Sequence, residues 1–138
     1  GSADAVASLE KANELGEAQA SKLLSTNFLK QGQALLKAGK NADAIAALEK
    51  SNSYAESANA YMLIASAYTK SGKSSNAIEA YKKYLELAPN AKNTEDIIFT
   101  IAATAQKAGD KATAKEYYGK LSGSAKYAAQ AAAQLKTL

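Results

Sequence analysis

The stretch that decides the fold is "ANAYMLIASAYTKSGKSSNAIEAYKKYLELAPNA", residues 58–91. Two sets of apolar residues recur in it at three- and four-residue spacing, one at Tyr61, Ile64, Ala65 and Tyr68 and the other at Ala77, Ile78, Tyr81 and Leu85. Each set marks one stripe on a helix. Gly72 separates them, and glycine after a last helical turn can take the left-handed conformation that reverses the chain. The stretch predicts two antiparallel helices.

A glycine at an equivalent position also occurs before this stretch and after it. Gly39 and Gly109 stand in "KAGKNA" and "KAGDKA", and "ADAVASLEKAN" at 3–13 nearly returns as "ADAIAALEKSN" at 42–52. Polar residues at expected helix starts can supply N-terminal caps, with Ser53 and Glu56 in capping-box spacing. These expected starts are Asn41, Ser53, Ser74, Asn93 and Asp110. The chain therefore repeats a pair of helices.

An all-α fold follows from this pattern and from a composition rich in Ala, Leu, Lys, Glu and Gln, which favour helices. We expect about eight helices, near residues 3–15, 18–38, 41–52, 54–71, 75–87, 94–108, 111–121 and 124–137. The connections between them are short, so successive helices should be antiparallel neighbours.

The repeat resembles the tetratricopeptide repeat (TPR). Its glycines lie 33 and 37 residues apart, around the 34-residue unit of that family. In residues 58–91 the family's Trp, Leu, Gly, Tyr, Ala, Phe and Pro positions are held by Tyr61, Ile64, Ala65, Tyr68, Ala77, Tyr81 and Pro89. The resemblance implies a right-handed α-solenoid of antiparallel helix pairs.

The resemblance also divides the chain. We expect a two-residue remnant of an expression tag, 1–2, ahead of one domain, 3–138. Its expected parts are a half repeat at 3–15, repeats at 25–57, 58–91 and 95–128, and a C-terminal capping helix at 124–138. Small residues should let paired helices approach closely. These are Gly32, Ala65 and Ala102 on the first helices and Ala44, Ala77 and Ala114 on the second.

In TPR proteins the first helices of successive units line a concave groove that holds a protein or peptide segment. Carried over by position, the resemblance implies a floor of Leu29, Met62 and Phe99, followed by Gln33, Ser66 and Ala103, then Leu36, Thr69 and Gln106, and last Lys37, Lys70 and Lys107. Two alternatives stay open. The floor could instead pack under a flanking helix, and lysines in a last helical turn are favoured by the helix dipole alone.

The composition argues against an enzyme. The chain has no Cys, His, Trp or Arg, so it lacks disulfides, thiolate metal ligands and the usual general base. Its glycines are isolated and form no phosphate-binding loop. Glu95 and Asp96 suit a helix start better than acid–base chemistry, because adjacent helical residues point about a quarter turn apart. We expect a noncatalytic scaffold without cofactor or metal.

The net charge of +4 is uneven: residues 1–57 hold six lysines against seven acids, and residues 58–138 hold eleven against six. Lysines interspersed with glutamate are typical of a solvated surface, so we expect no nucleic-acid partner.

No apolar run is long enough to span a membrane. We expect a soluble protein of the cytoplasm or the bacterial periplasm, and the pattern leaves open that an upstream targeting segment or further repeats were trimmed away. The alternative function is an assembly module that self-associates, as a homo-oligomer, or docks onto its parent chain through terminal helices.

Overall fold

A computed structural model describes residues 18–138. Within them the chain forms seven α-helices and no strand. They are α1 (Ala18–Lys37), α2 (Asn41–Tyr54), α3 (Ala58–Lys70), α4 (Ser74–Leu87), α5 (Thr94–Lys107), α6 (Lys111–Gly119) and α7 (Ala128–Leu135). The predicted helix at 3–15 lies outside the described residues. The all-α prediction is confirmed.

The helices stack in chain order. Each one packs against the helix before it and the helix after it, and α1 also contacts α3 across the first pair. A single apolar core runs through the stack, with Leu48, Ile101, Tyr118 and Leu121 almost wholly buried. Contacts confined to neighbouring elements are the signature of a solenoid, in which no helix pair buries its apolar side alone.

Three glycine turns reverse the chain within the helix pairs. Gly39, Gly72 and Gly109 have φ angles of 77°, 74° and 85°. In each turn the residue after the glycine donates its N–H to the carbonyl five residues earlier, for example from Lys73 to Tyr68 at 2.9 Å. This is the Schellman arrangement, which satisfies carbonyls left over at a helix end. The predicted role of these glycines is confirmed.

The caps of the following helices differ in part from the prediction. Asp110 is the N-cap of α6, and its carboxylate accepts the N–H of Thr113 at 3.2 Å. Asn41 and Ser74 are instead the first helical residues, because the tight glycine turn makes the residue directly after it the N-cap. In the first two turns that residue is a lysine, Lys40 or Lys73, which cannot accept the bond.

The start of α3 also lies later than predicted. Ser53 belongs to α2, where its hydroxyl donates to the carbonyl of Lys50 at 2.6 Å. Ser57 is the N-cap, and its Oγ accepts the N–H of Ala60 at 3.1 Å. Asn93 is the N-cap of α5 as predicted, but its Oδ1 accepts the hydroxyl of Tyr84 at 2.8 Å instead of capping the helix.

Close approach of the first two helices depends on Gly32. A Cβ at this position would lie 2.5 Å from Cγ of Leu48, which is wholly buried. The equivalent alanines of the later pairs are buried completely: Ala65 and Ala77 in the second, and Ala102 and Ala114 in the third. The small-residue positions therefore set the spacing between paired helices, as predicted.

Candidate protein-interaction groove

The twelve predicted groove residues lie on α1, α3 and α5, four on each helix. The floor residues Leu29, Met62 and Phe99 are partly buried and pack against the core. Most of the others retain exposure at the surface. The structure therefore places the predicted residues on one set of helices, and their neighbours decide which of them stay open.

A first furrow separates α1 from α3 and encloses about 390 Å³. Its lining residues are Gln33, Leu36, Lys37, Leu63, Ser66 and Lys70. Five of these six were predicted. Leu63 was missed because the family pattern assigns its position no groove role, yet its partly buried side chain adds an apolar surface to the same furrow as Leu36.

A second furrow separates α3 from α5 and encloses about 470 Å³. Three of the predicted groove residues, Thr69, Ala103 and Lys107, line it together with Gly72, Ser74 and Thr104. The hydroxyl of Thr69 donates to the carbonyl of Ala65 at 2.8 Å, so it is left as an acceptor toward the furrow. Gly72 and Ser74 were missed because neither lies on a first helix: Gly72 is in the turn after α3, and Ser74 is the first residue of α4.

Two predicted groove residues on α5 contact the C-terminal segment. Phe99 stacks on Tyr127, with ring centroids 4.7 Å apart, and meets the edge of Tyr118 at 5.7 Å. Gln106 accepts the hydroxyl of Tyr118 at 2.7 Å and donates its Nε2 to Oε1 of Gln134 at 2.9 Å. Of the floor residues, Phe99 therefore packs against a flanking segment, as the packing alternative states, and Gln106 also contacts that segment.

A polar cluster also holds the C-terminal segment against α5. Asp96 accepts the hydroxyl of Tyr127 and, at 2.9 Å, Nζ of Lys126. These hydrogen bonds, from Tyr127 first and then Lys126, hold the pKa of Asp96 below its ordinary value. The predicted C-terminal helix starts at Ala128 instead of residue 124, and in the turn before it Oγ of Ser124 accepts the N–H of Tyr127 at 3.0 Å.

The lysine row, Lys37, Lys70 and Lys107, is the main charged feature of the furrows. All three side chains are exposed in the last turn of their helices. No carboxylate of residues 18–138 pairs with any of them. Lys37 and Lys70 line the first furrow, and Lys107 lines the second. The furrows thus join apolar surface to lysines that no carboxylate of the described residues, 18–138, compensates.

Other kinds of site find no support in the part of the chain that the structure describes. Across residues 18–138, no cluster of three or more acidic, His or Cys side chains could hold a metal ion. None of the helices from α1 to α7 is long and apolar enough to cross a membrane.

Comparison with known proteins agrees with the predicted repeat. Residues 29–92 match the family model described as tetratricopeptide repeat. Two crystal structures of MamA share the fold at 23% sequence identity: one has a TM-score of 0.64 over 94% of this chain and 67% of its own, the other 0.61 over 88% and 74%. A search of curated proteins gave no match. The tetratricopeptide repeat predicted from the sequence is therefore matched over residues 29–92, and the two MamA structures share the fold.

Proposed function

We propose that this chain is a noncatalytic scaffold that binds a protein segment in the two furrows. The observation that carries the proposal is the lysine row beside apolar walls. Three exposed lysines recur at equivalent positions without a carboxylate partner among the described residues. A partner segment with acidic residues flanking a large apolar side chain supplies both the missing charges and a fit to Leu36 and Leu63.

The helix dipole explains why lysine is tolerated in each last turn, but it does not explain the open space beside it. A furrow of a few hundred Å³ lined by Leu36, Leu63 and Ser66 has the size of a site for one or two side chains. Binding there needs no rearrangement of the helices. The C-terminal contacts of Phe99 and Gln106 close the groove on α5, so the partner segment lies across α1, α3 and the end of α5.

A peptide-display selection tests this function and characterises the partner segment in the same experiment. A random dodecapeptide library is selected on the wild-type chain and on a variant with Lys37→Glu, Lys70→Glu and Lys107→Glu. We expect wild-type selection to enrich peptides that join Asp or Glu to Leu, Phe or Met, and the variant to lose that enrichment. The fluorescence-polarisation affinity of the best peptide should fall at least tenfold, since three charge contacts are reversed.

A matched control keeps the net charge equal. Lys92, Lys111 and Lys115 are exposed and line neither furrow. Their reversal to Glu should leave the enrichment in place. Equal loss in both variants would show that only overall charge attracts the peptides, and the groove proposal would be rejected.

A further inference from the structure

A larger cavity lies away from the furrows, on the side of the stack that the second helices form. It encloses about 540 Å³ between α2 and α4, with α3 as its base. The base presents Tyr61, Ile64 and Tyr68, which share one face of α3 because they are three and four residues apart. We call this space the outer cavity. None of the predicted groove residues lines it.

One small residue stands in the wall of the outer cavity. Ala80 on α4 forms part of its wall. The next pair of helices has an equivalent space between α4 and α6, and there Tyr117 stands 37 residues after Ala80, the same offset that separates Gly109 from Gly72. That space, which Tyr117 lines, encloses about 370 Å³. The space beside Ala80 in the second repeat is therefore larger than the equivalent space beside Tyr117 in the third repeat.

Carboxylates surround the outer cavity. Glu49 and Glu79 line it, and the hydroxyl of Tyr68 donates to Glu49 at 3.4 Å. The hydroxyl of Tyr61 donates to Glu56 at 3.0 Å. Burial first, and then the hydrogen bond to Glu56 and the nearby charges of Glu56 and Glu86, raise the pKa of Tyr61 above its ordinary value.

Two lysines stand among these acids, and both are compensated. Nζ of Lys83 lies 3.6 Å from Glu86, and Nζ of Lys82 lies 3.6 Å from Glu79. Of the two, only Lys83 lines the cavity. The lining thus combines two tyrosine rings, an aliphatic base and two carboxylates against one ammonium, with Glu79 also paired to Lys82, although the chain as a whole is basic.

We propose that the outer cavity binds a lysine or arginine side chain from a basic segment of another protein. The aliphatic stem of such a side chain packs on Ile64 and Ala80, and its cation lies between the tyrosine rings and the carboxylates of Glu49 and Glu79. A second copy of this chain is disfavoured as the occupant, because two chains of net charge +4 repel each other. The site is separate from the furrows, so it is independent of the function proposed above.

Fluorescence polarisation with labelled hexalysine tests the site. We expect saturable binding to the wild-type chain in low salt and no binding of hexalysine whose side chains are acetylated, because acetylation removes the cation. The double variant Glu49→Gln, Glu79→Gln should lower the affinity for hexalysine about tenfold. Ala80→Tyr should lower it by a similar factor, since it places in this cavity the ring that the third unit already carries.

The control is the double variant Glu95→Gln, Glu116→Gln, which removes two exposed carboxylates away from the outer cavity. It should bind hexalysine as the wild type does.

Equal weakening by both double variants, or acetylated hexalysine binding as tightly as the charged peptide, would overturn the proposal. So would wild-type dimers in light scattering that dissociate on Glu49→Gln, Glu79→Gln, because the occupant would then be a second copy. Hexalysine affinity that changes only in the variant Lys37→Glu, Lys70→Glu, Lys107→Glu would count against the outer cavity. It would not count against the function proposed for the furrows.

Discussion

Single glycines act in two different ways in this chain. Gly39, Gly72 and Gly109 have positive φ, and a Cβ built on any of them meets nothing within 4 Å. The requirement there is backbone conformation and not space. At Gly32 the requirement is space, because a Cβ would overlap Leu48. Both roles could be predicted from the sequence, since the first depends on local turn chemistry and the second on the repeat register.

The substitution Gly72→Ala tests the conformational role. We expect it to lower the free energy of unfolding by about 1 kcal/mol, the usual cost of a side chain in the left-handed region. Urea denaturation of the full chain measures the change. Gly119→Ala is the matched control, because Gly119 ends α6 with no positive φ and open space at its Cβ. The control should keep or raise stability, and an equal loss in both variants would refute the argument.

Cap residues were harder to predict than turns. The sequence places a polar residue near every helix start, and a shift of one position changes whether its side chain can accept the backbone bond. Asp110 directly follows its glycine and caps α6, whereas Asn41 and Ser74 stand one residue too late. The position of the cap is set by the turn before it, which a pattern of polar residues alone does not record.

At the scale of elements, the last helix is held by side chains far from it in sequence. Tyr127 precedes α7 and contacts Phe99 and Asp96 on α5, and Gln134 on α7 contacts Gln106. These pairs are about thirty residues apart. The sequence predicted a terminal helix but not its start or its partners, because its alanine-rich pattern fits several registers and the contacts are tertiary.

Asp96→Asn tests this attachment through its pH dependence. The pKa of Asp96 is lowered in the folded state, so its charged form stabilises the fold above the ordinary carboxyl pKa of about 3.9, and that contribution is lost as pH falls through the lower folded value. We expect Asp96→Asn to lower Tm by a few degrees at pH 7. The difference from wild type should shrink below about pH 4.

Thermal unfolding followed by circular dichroism from pH 7 to pH 2 makes this measurement. Glu95→Gln is the control, since the neighbouring Glu95 is exposed and makes no side-chain hydrogen bond to Tyr127 or Lys126. Its effect on Tm should be smaller at pH 7. A difference between wild type and Asp96→Asn that stays constant down to pH 2 would mean that the carboxylate does not hold the C-terminal segment.

The whole molecule presents two surfaces of opposite character. The first helices carry the lysine row beside the furrows, and the second helices enclose the outer cavity with its carboxylates. The repeat register predicted the first surface, because groove positions recur at one place in every unit. It did not predict the second, which depends on the difference between Ala80 and Tyr117 and on how neighbouring units align.

The most direct test of the scaffold function is to map binding on the chain itself. The best peptide from the display selection is titrated into ¹⁵N-labelled protein, and amide shifts are followed by NMR. We predict that the largest shifts fall on α1, α3 and the end of α5, including Gln33, Ser66 and Ala103 around the two furrows. Shifts confined to α2, α4 and α6, or to α7, would contradict the account.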